Sequence, residues 1–99
     1  MAIKPTKQQI MERARRADAF ARRGDLNQAA LTLLPVIEHA RDMLDVVAFW
    51  AAIRARQGHY AEAAEWYRHI LRSQHDHIPT RQSLALCLRR SGQYDEALR

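Results

Sequence analysis

From residue 26 onward the apolar positions fall at Leu26, Ala29, Ala30, Leu33, Val36 and Ile37, with Asn27, Gln28 and Thr32 between them. Steps of three and four place those residues along one face of an α-helix. The run beginning at Tyr60 has the same design, continuing through Ala63, Ala64, Tyr67, Ile70 and Leu71. No segment alternates apolar and polar residues in the manner of a half-buried strand. The pattern predicts helices at 7–23, 26–40, 43–57, 60–73, 79–91 and from 94 to the end. Thr6 with Gln9, and Asp25 with Gln28, have the spacing of capping boxes at two of the starts. Pro35 lies inside the second helix, where it removes one backbone hydrogen bond and is expected to kink the rod.

The helices recur on a fixed period. Gly24, Gly58 and Gly92 are the chain's only glycines and stand 34 residues apart. Each follows a predicted helix, where a left-handed residue is wanted and glycine supplies it without steric cost. Ile10, Leu44 and Ile78 match on the same step at the start of the odd-numbered helices. Ala17, Ala51 and Ala85 match within them, and Ala29, Ala63 and Ala97 match within the helices that follow. Two helices approach closely only where both side chains are small, so the matched alanines predict tight crossings.

A 34-residue helix–turn–helix unit with small residues at fixed places and a glycine–aromatic turn ("GHY", "GQY") resembles the tetratricopeptide repeat. The resemblance covers nearly the whole chain as a single domain of about three units, near 8–41, 42–75 and 76–99, the last incomplete. It is densest in the middle unit, at Trp50, Ala51, Gly58, Tyr60, Ala63 and Tyr67. It implies an all-α fold of tandem antiparallel helix hairpins. The sequence departs from the pattern at Arg41 and His75, where the family has proline, at Arg54, where an aromatic is usual, and at Arg16, where an apolar residue is usual. Arg16 lies where no earlier unit would cover it, so a polar end face is reasonable there.

Composition narrows the function classes. The chain has 99 residues, 47% of them hydrophobic, enough for one small folded domain. One cysteine, Cys87, allows no internal disulfide and suits a reducing compartment. The start "MAIKPTKQQI" has no apolar run of signal-peptide length. The longest apolar stretch, Val46 to Ile53, is far short of the roughly 20 residues that span a bilayer. A cytoplasmic protein without a membrane segment is expected.

Candidate chemistry is sparse, and neither an enzyme nor a cofactor is expected. The glycines stand singly between helices and make no phosphate-cradling loop. His75, Asp76 and His77, with His69 nearby, are metal-ligand types, but an inter-unit loop capping the next helix, with Pro79 in its first turn, accounts for them. Cys87 lacks a histidine at a helical offset and reads as a small buried residue. Trp50, Trp66 and Tyr67 fit packing between units better than an aromatic cage. The net charge of +5 includes Lys4, Lys7, Arg13, Arg15, Arg16, Arg22 and Arg23 near the start. No aromatics are interleaved with these as stacking platforms, which argues against a nucleic-acid-binding solenoid.

In repeats of this family the first helix of each unit lines a concave groove that holds a partner's peptide or helix. Mapped here, that stripe comprises Met11, Ala14, Asp18, Ala21 and Arg22; Asp45, Ala48, Ala52, Ala55 and Arg56; and Gln82, Leu86, Arg89 and Arg90. Arg22, Arg56 and Arg90 again stand 34 apart. A cation there complements the end of each helix dipole, and a row of three would also suit an acidic or amphipathic partner segment. The lysine, asparagine and arginine with which some members clamp chaperone tails are replaced by Ala14, Asp18, Phe49, Pro79 and Ser83. The resemblance therefore implies a protein–protein interaction module, which could be part of a larger protein. A small bacterial secretion-type chaperone, holding an amphipathic helix in a similar groove, is the alternative. Leu84, Leu86 and Leu88 on the fifth helix would leave an apolar face, so self-association through the C-terminal unit is also expected.

Overall fold

The computed structural model describes residues 3–92, which form five α-helices and, among the described residues, no strand. They are α1 (Lys7–Arg22), α2 (Leu26–Ile37), α3 (Leu44–Arg56), α4 (Tyr60–Ser73) and α5 (Ile78–Ser91), with a 3-10 turn at Glu38–Ala40. The helix predicted from residue 94, with Tyr94 and Ala97, lies outside the described residues. Extensive packing joins consecutive helices: α1 with α2, α2 with α3, α3 with α4 and α4 with α5, while α1 touches α3 over a short stretch. The Cα trace measures 48 × 29 × 26 Å.

The turns between paired helices are built alike. Gly24 and Gly58 have φ of 83° and 91°. In each, the residue after the glycine reaches back five positions: Asp25 N–H donates to the Phe20 carbonyl and His59 N–H to the Arg54 carbonyl, both at 2.9 Å. The glycine N–H donates to Ala21 in one turn and Ala55 in the other, at 3.0 and 2.9 Å. This is the Schellman arrangement, and it satisfies carbonyls that the helix end leaves open. The two links between pairs also agree, with Met43 N–H donating to the Ala40 carbonyl and His77 N–H to that of Gln74.

At the helix starts, Thr6 and Gln9 form the full reciprocal box, at 2.8 and 3.1 Å. Asp25 forms half of one. Its carboxylate accepts from Gln28 N–H at 3.2 Å, but its own N–H is already committed to the Phe20 carbonyl of the glycine turn.

Pro35 has its largest effect downstream of itself. The expected helix through residue 40 ends as α-helix at Ile37 and tightens into the 3-10 turn. The Pro35 ring has no N–H to give the Leu31 carbonyl. One turn back, Arg13 on α1 reaches across to donate to the Thr32 carbonyl at 3.1 Å. The early end of α2 shortens its contact with α3, whereas the uninterrupted α4 packs on α5 along much of its length.

Two core clusters result. One gathers Ile10, Ala17, Ala29, Leu33, Val36, Ile37, Val46 and Trp50 from α1, α2 and α3. The other gathers Val47, Ala51, Ala63, Ala64, Tyr67, Ile70 and Cys87 from α3, α4 and α5. Ala17, Ala29, Ala51 and Ala63 are fully buried. The apolar column of helix starts does not hold throughout. Ile10 is buried, Leu44 half-buried and Ile78 63% exposed, since α2 covers Ile10 and no described helix follows α5 to cover Ile78.

Ala63→Leu is expected to cost about 1–3 kcal/mol through overpacking. Urea unfolding reads this directly, and an unchanged midpoint would mean that no helix presses on that position. Gly58→Ala is expected to cost about 1–2 kcal/mol in backbone strain alone, because an added Cβ meets nothing within 4 Å. Gly58→Asn should lose less in the same titration.

Candidate functional site

The predicted stripe lies on α1, α3 and α5, and the structure joins its parts unequally. Met11 on α1 and Asp45 on α3 line one cleft of about 340 Å³ with Asp42, Met43, Leu44, Val46 and Gln74. Met11 is 39% exposed and Asp45 is exposed. Ala14, Ala48 and Ala52 are half-buried, Ala55 likewise, and Ala21 is buried. Ala14 packs on the first core cluster and Ala48 on the second, so both serve the core as well as the surface. On α5, Gln82, Arg89 and Arg90 are exposed and Leu86 is 46% exposed. The third row stands apart from the other two, because α5 packs on α4 and has at most marginal contact with α3.

The three arginines of the 34-residue column have different surroundings. Arg22 pairs with Asp18 at 2.8 Å, one turn back on the same exposed helix face. Arg56 is exposed in the last turn of α3. The Arg90 guanidinium lies 5.8 Å from the Tyr60 ring centroid, turned toward the start of α4. Exposed i,i+4 pairs contribute only about 0.3–0.5 kcal/mol, so a partner's carboxylate could displace Asp18 from Arg22 at low cost.

Sequence reasoning missed a polar network across three helices. Arg54 donates to both carboxylate oxygens of Glu62, at 2.9 and 3.0 Å, and to Gln57 Oε1 at 2.8 Å. Gln57 in turn donates to Asn27 Oδ1 at 2.9 Å, linking α3 and α4 back to α2. The guanidinium also lies 5.5 Å from the Trp50 ring centroid. Arginine where the repeat usually has an aromatic was the available signal. It covers the aromatic below it and clamps the next helix. Beside this network, Leu31 and Leu34 are 60% and 54% exposed and line a cleft of about 450 Å³ with Ala30 and Trp50.

The other candidates resolve individually. Trp66 lies beneath Arg41, 4.9 Å from guanidinium to ring centroid, and edge-on to His69. Its face thus meets a cation of the same chain. His69 Nε2 lies 2.7 Å from the Arg41 carbonyl, and His77 Nδ1 2.7 Å from Thr80 Oγ1. His75 and Asp76 are exposed, and no group of three potential metal ligands occurs among the described residues. Glu38 pairs with Arg41, whose hydrogen bond holds its carboxyl below the usual range. Cys87 is buried, and Leu84 and Leu88 lean onto the second core cluster, leaving Ile78 and Leu86 as the exposed large apolar residues of α5. Burial pushes the Cys87 thiol up and does the same to the Tyr67 phenol, which a hydrogen bond with Ser83 partly offsets. No helix among the described residues is long and apolar enough to cross a membrane. Comparison with family models, curated proteins and solved structures returned no match.

Raised folded-state values for Cys87 and Tyr67 give a definite pH dependence. The unfolded chain releases these protons first, so their contribution is full below the ordinary thiol and phenol values and is lost as pH rises through the folded ones. Urea midpoints measured from neutral to alkaline pH should therefore fall, and Cys87→Val should fall less. Equal alkaline losses in both proteins would exclude a contribution from the thiol.

Proposed function

We propose that this chain is a tandem helix-hairpin repeat module of the tetratricopeptide type, which binds a peptide or helix of a partner protein across α1, α3 and α5. The observation that carries the reading is the 34-residue recurrence of the backbone itself. The glycine turns and the links between pairs repeat bond for bond. Neighbouring clefts repeat as well. The Gly24 turn faces Gln57 and His59, and the Gly58 turn faces Arg90 and Ser91. Units stacked this way align their first helices on one side.

Support for binding comes from the surface those helices offer. Small, half-buried alanines at its centre let a partner's backbone come close, and Met11 and Leu86 provide apolar anchors at either end. The exposed arginines favour acidic flanks on the partner. Binding by helix or peptide, without catalysis, in the cytoplasm is the function this surface suits.

Met11→Glu and Leu86→Glu alter exposed side chains, so the melting temperature should change by no more than a few degrees. Recovery of the partner in a quantitative pulldown should fall about tenfold or more for the double variant. Wild-type recovery by a folded double variant would remove α1 and α5 from the binding surface.

A further inference from the structure

The outer edge of the first helix pair holds a second feature, separate from the α1–α3–α5 stripe. A cleft of about 610 Å³ opens between α1 and the end of α2, and its lining includes Lys4, Glu12, Arg13, Arg16, Pro35 and His39. The period shows what this place does in the next unit. Counting 34 residues forward from Glu12, Arg16 and Pro35 gives Val46, Trp50 and His69. There the chain itself fills the equivalent space. Val46 and Trp50 are buried in the first core cluster with Ala40, and His69 bonds to the Arg41 carbonyl. The end of the preceding unit is the filler. In the first unit no described segment takes that role, and the apolar pair Val46 and Trp50 is replaced by the exposed, charged Glu12 and Arg16.

We infer that this edge cleft receives an acidic segment of a partner protein, docked where a preceding unit would otherwise end. Charge selects the occupant. Lys4, Arg13 and Arg16, with His39, face a single carboxylate, Glu12. The Arg13 guanidinium is held in place by its bond to the Thr32 carbonyl through one nitrogen, which leaves further donors on the same rigid fork. Pro35 and Val36 supply an apolar wall, which suits a peptide with aliphatic side chains beside its carboxylates. A second copy of the chain is a poor match. Its opposite end is α5, which carries Arg81, Arg89 and Arg90 and no carboxylate between Ile78 and Ser91. Bare phosphate or nucleic acid would leave the apolar wall unused and find no aromatic ring in the cleft to stack on.

The test is an NMR titration of the isotope-labelled chain with amidated Glu-Leu-Glu-Glu-Leu-Glu. Its glutamine counterpart, inorganic phosphate and a short single-stranded DNA serve as comparison ligands. Amide shifts should concentrate at residues 9–16 and 36–39. Arg16→Glu and Lys4→Glu should each weaken the acidic peptide about tenfold, while Arg56→Glu on α3 should change it less than about twofold. Lys4 precedes α1 and is exposed, so its variant reads charge without risk to the fold. Four results would overturn the inference: shifts confined to α3 and α5, equal binding of the glutamine peptide, tighter binding of phosphate or DNA, or wild-type affinity in both edge variants. Concentration-dependent shifts at the edge without any peptide would reassign the cleft to self-association.

Discussion

Close approach of paired helix backbones is the constraint on which the remainder of this structure depends. Ala17 and Ala29 in the first pair, and Ala51 and Ala63 in the second, are fully buried. A larger side chain at any of these would have to find volume in an interior already at crystal-like density. Close crossing also requires a connection that reverses the chain within three residues, which the left-handed glycines and their five-back hydrogen bonds provide. Alanine and glycine thus act together. One permits the distance and the other sets the direction in which the second helix leaves.

Against that regular frame, Pro35 produces the main asymmetry. It ends α2 early, draws Arg13 across to the Thr32 carbonyl and leaves α2 with a shorter contact on α3 than α4 has on α5. The surfaces of the two second helices differ as well. Leu31 and Leu34 are exposed on α2, where the positions 34 residues on carry Glu65 and Arg68, which pair with one another. The polar network from Asn27 to Glu62 crosses the same region and joins α2, α3 and α4 through side chains. Repetition of the backbone has not produced repetition of the surface.

The arginine-rich composition has largely internal uses. Arg54 and Arg41 cover Trp50 and Trp66, Arg90 lies by Tyr60, and Arg22 and Arg68 pair with carboxylates on their own helices. Guanidinium suits this work because its planar face stacks on a ring while its edge donates to a carboxylate. Net charge therefore says less about a partner than the places where cations gather without equal numbers of carboxylates. The edge between α1 and the end of α2 is such a place.

Helix positions, the two turns and the buried alanines were legible in the sequence because each follows from local rules. Spacing of three and four marks a helical face, an isolated glycine marks a left-handed stop, and a 34-residue step marks equivalent environments. Asp25 departs from its predicted full capping box because one N–H cannot serve both the turn and the cap. The sequence alone could not say which arginine of the column 22, 56 and 90 would be paired, because that depends on what a neighbouring helix presents. Nor could it show Arg54 reaching Glu62, His69 reaching Arg41, or Ile78 left exposed beside a buried Ile10. Those outcomes depend on distances between segments far apart in the chain, and local periodicity carries no information about such distances. The sequence determined the helices and their repeat, and tertiary packing decided which equivalent residues became core, which became clamp and which stayed open to a partner.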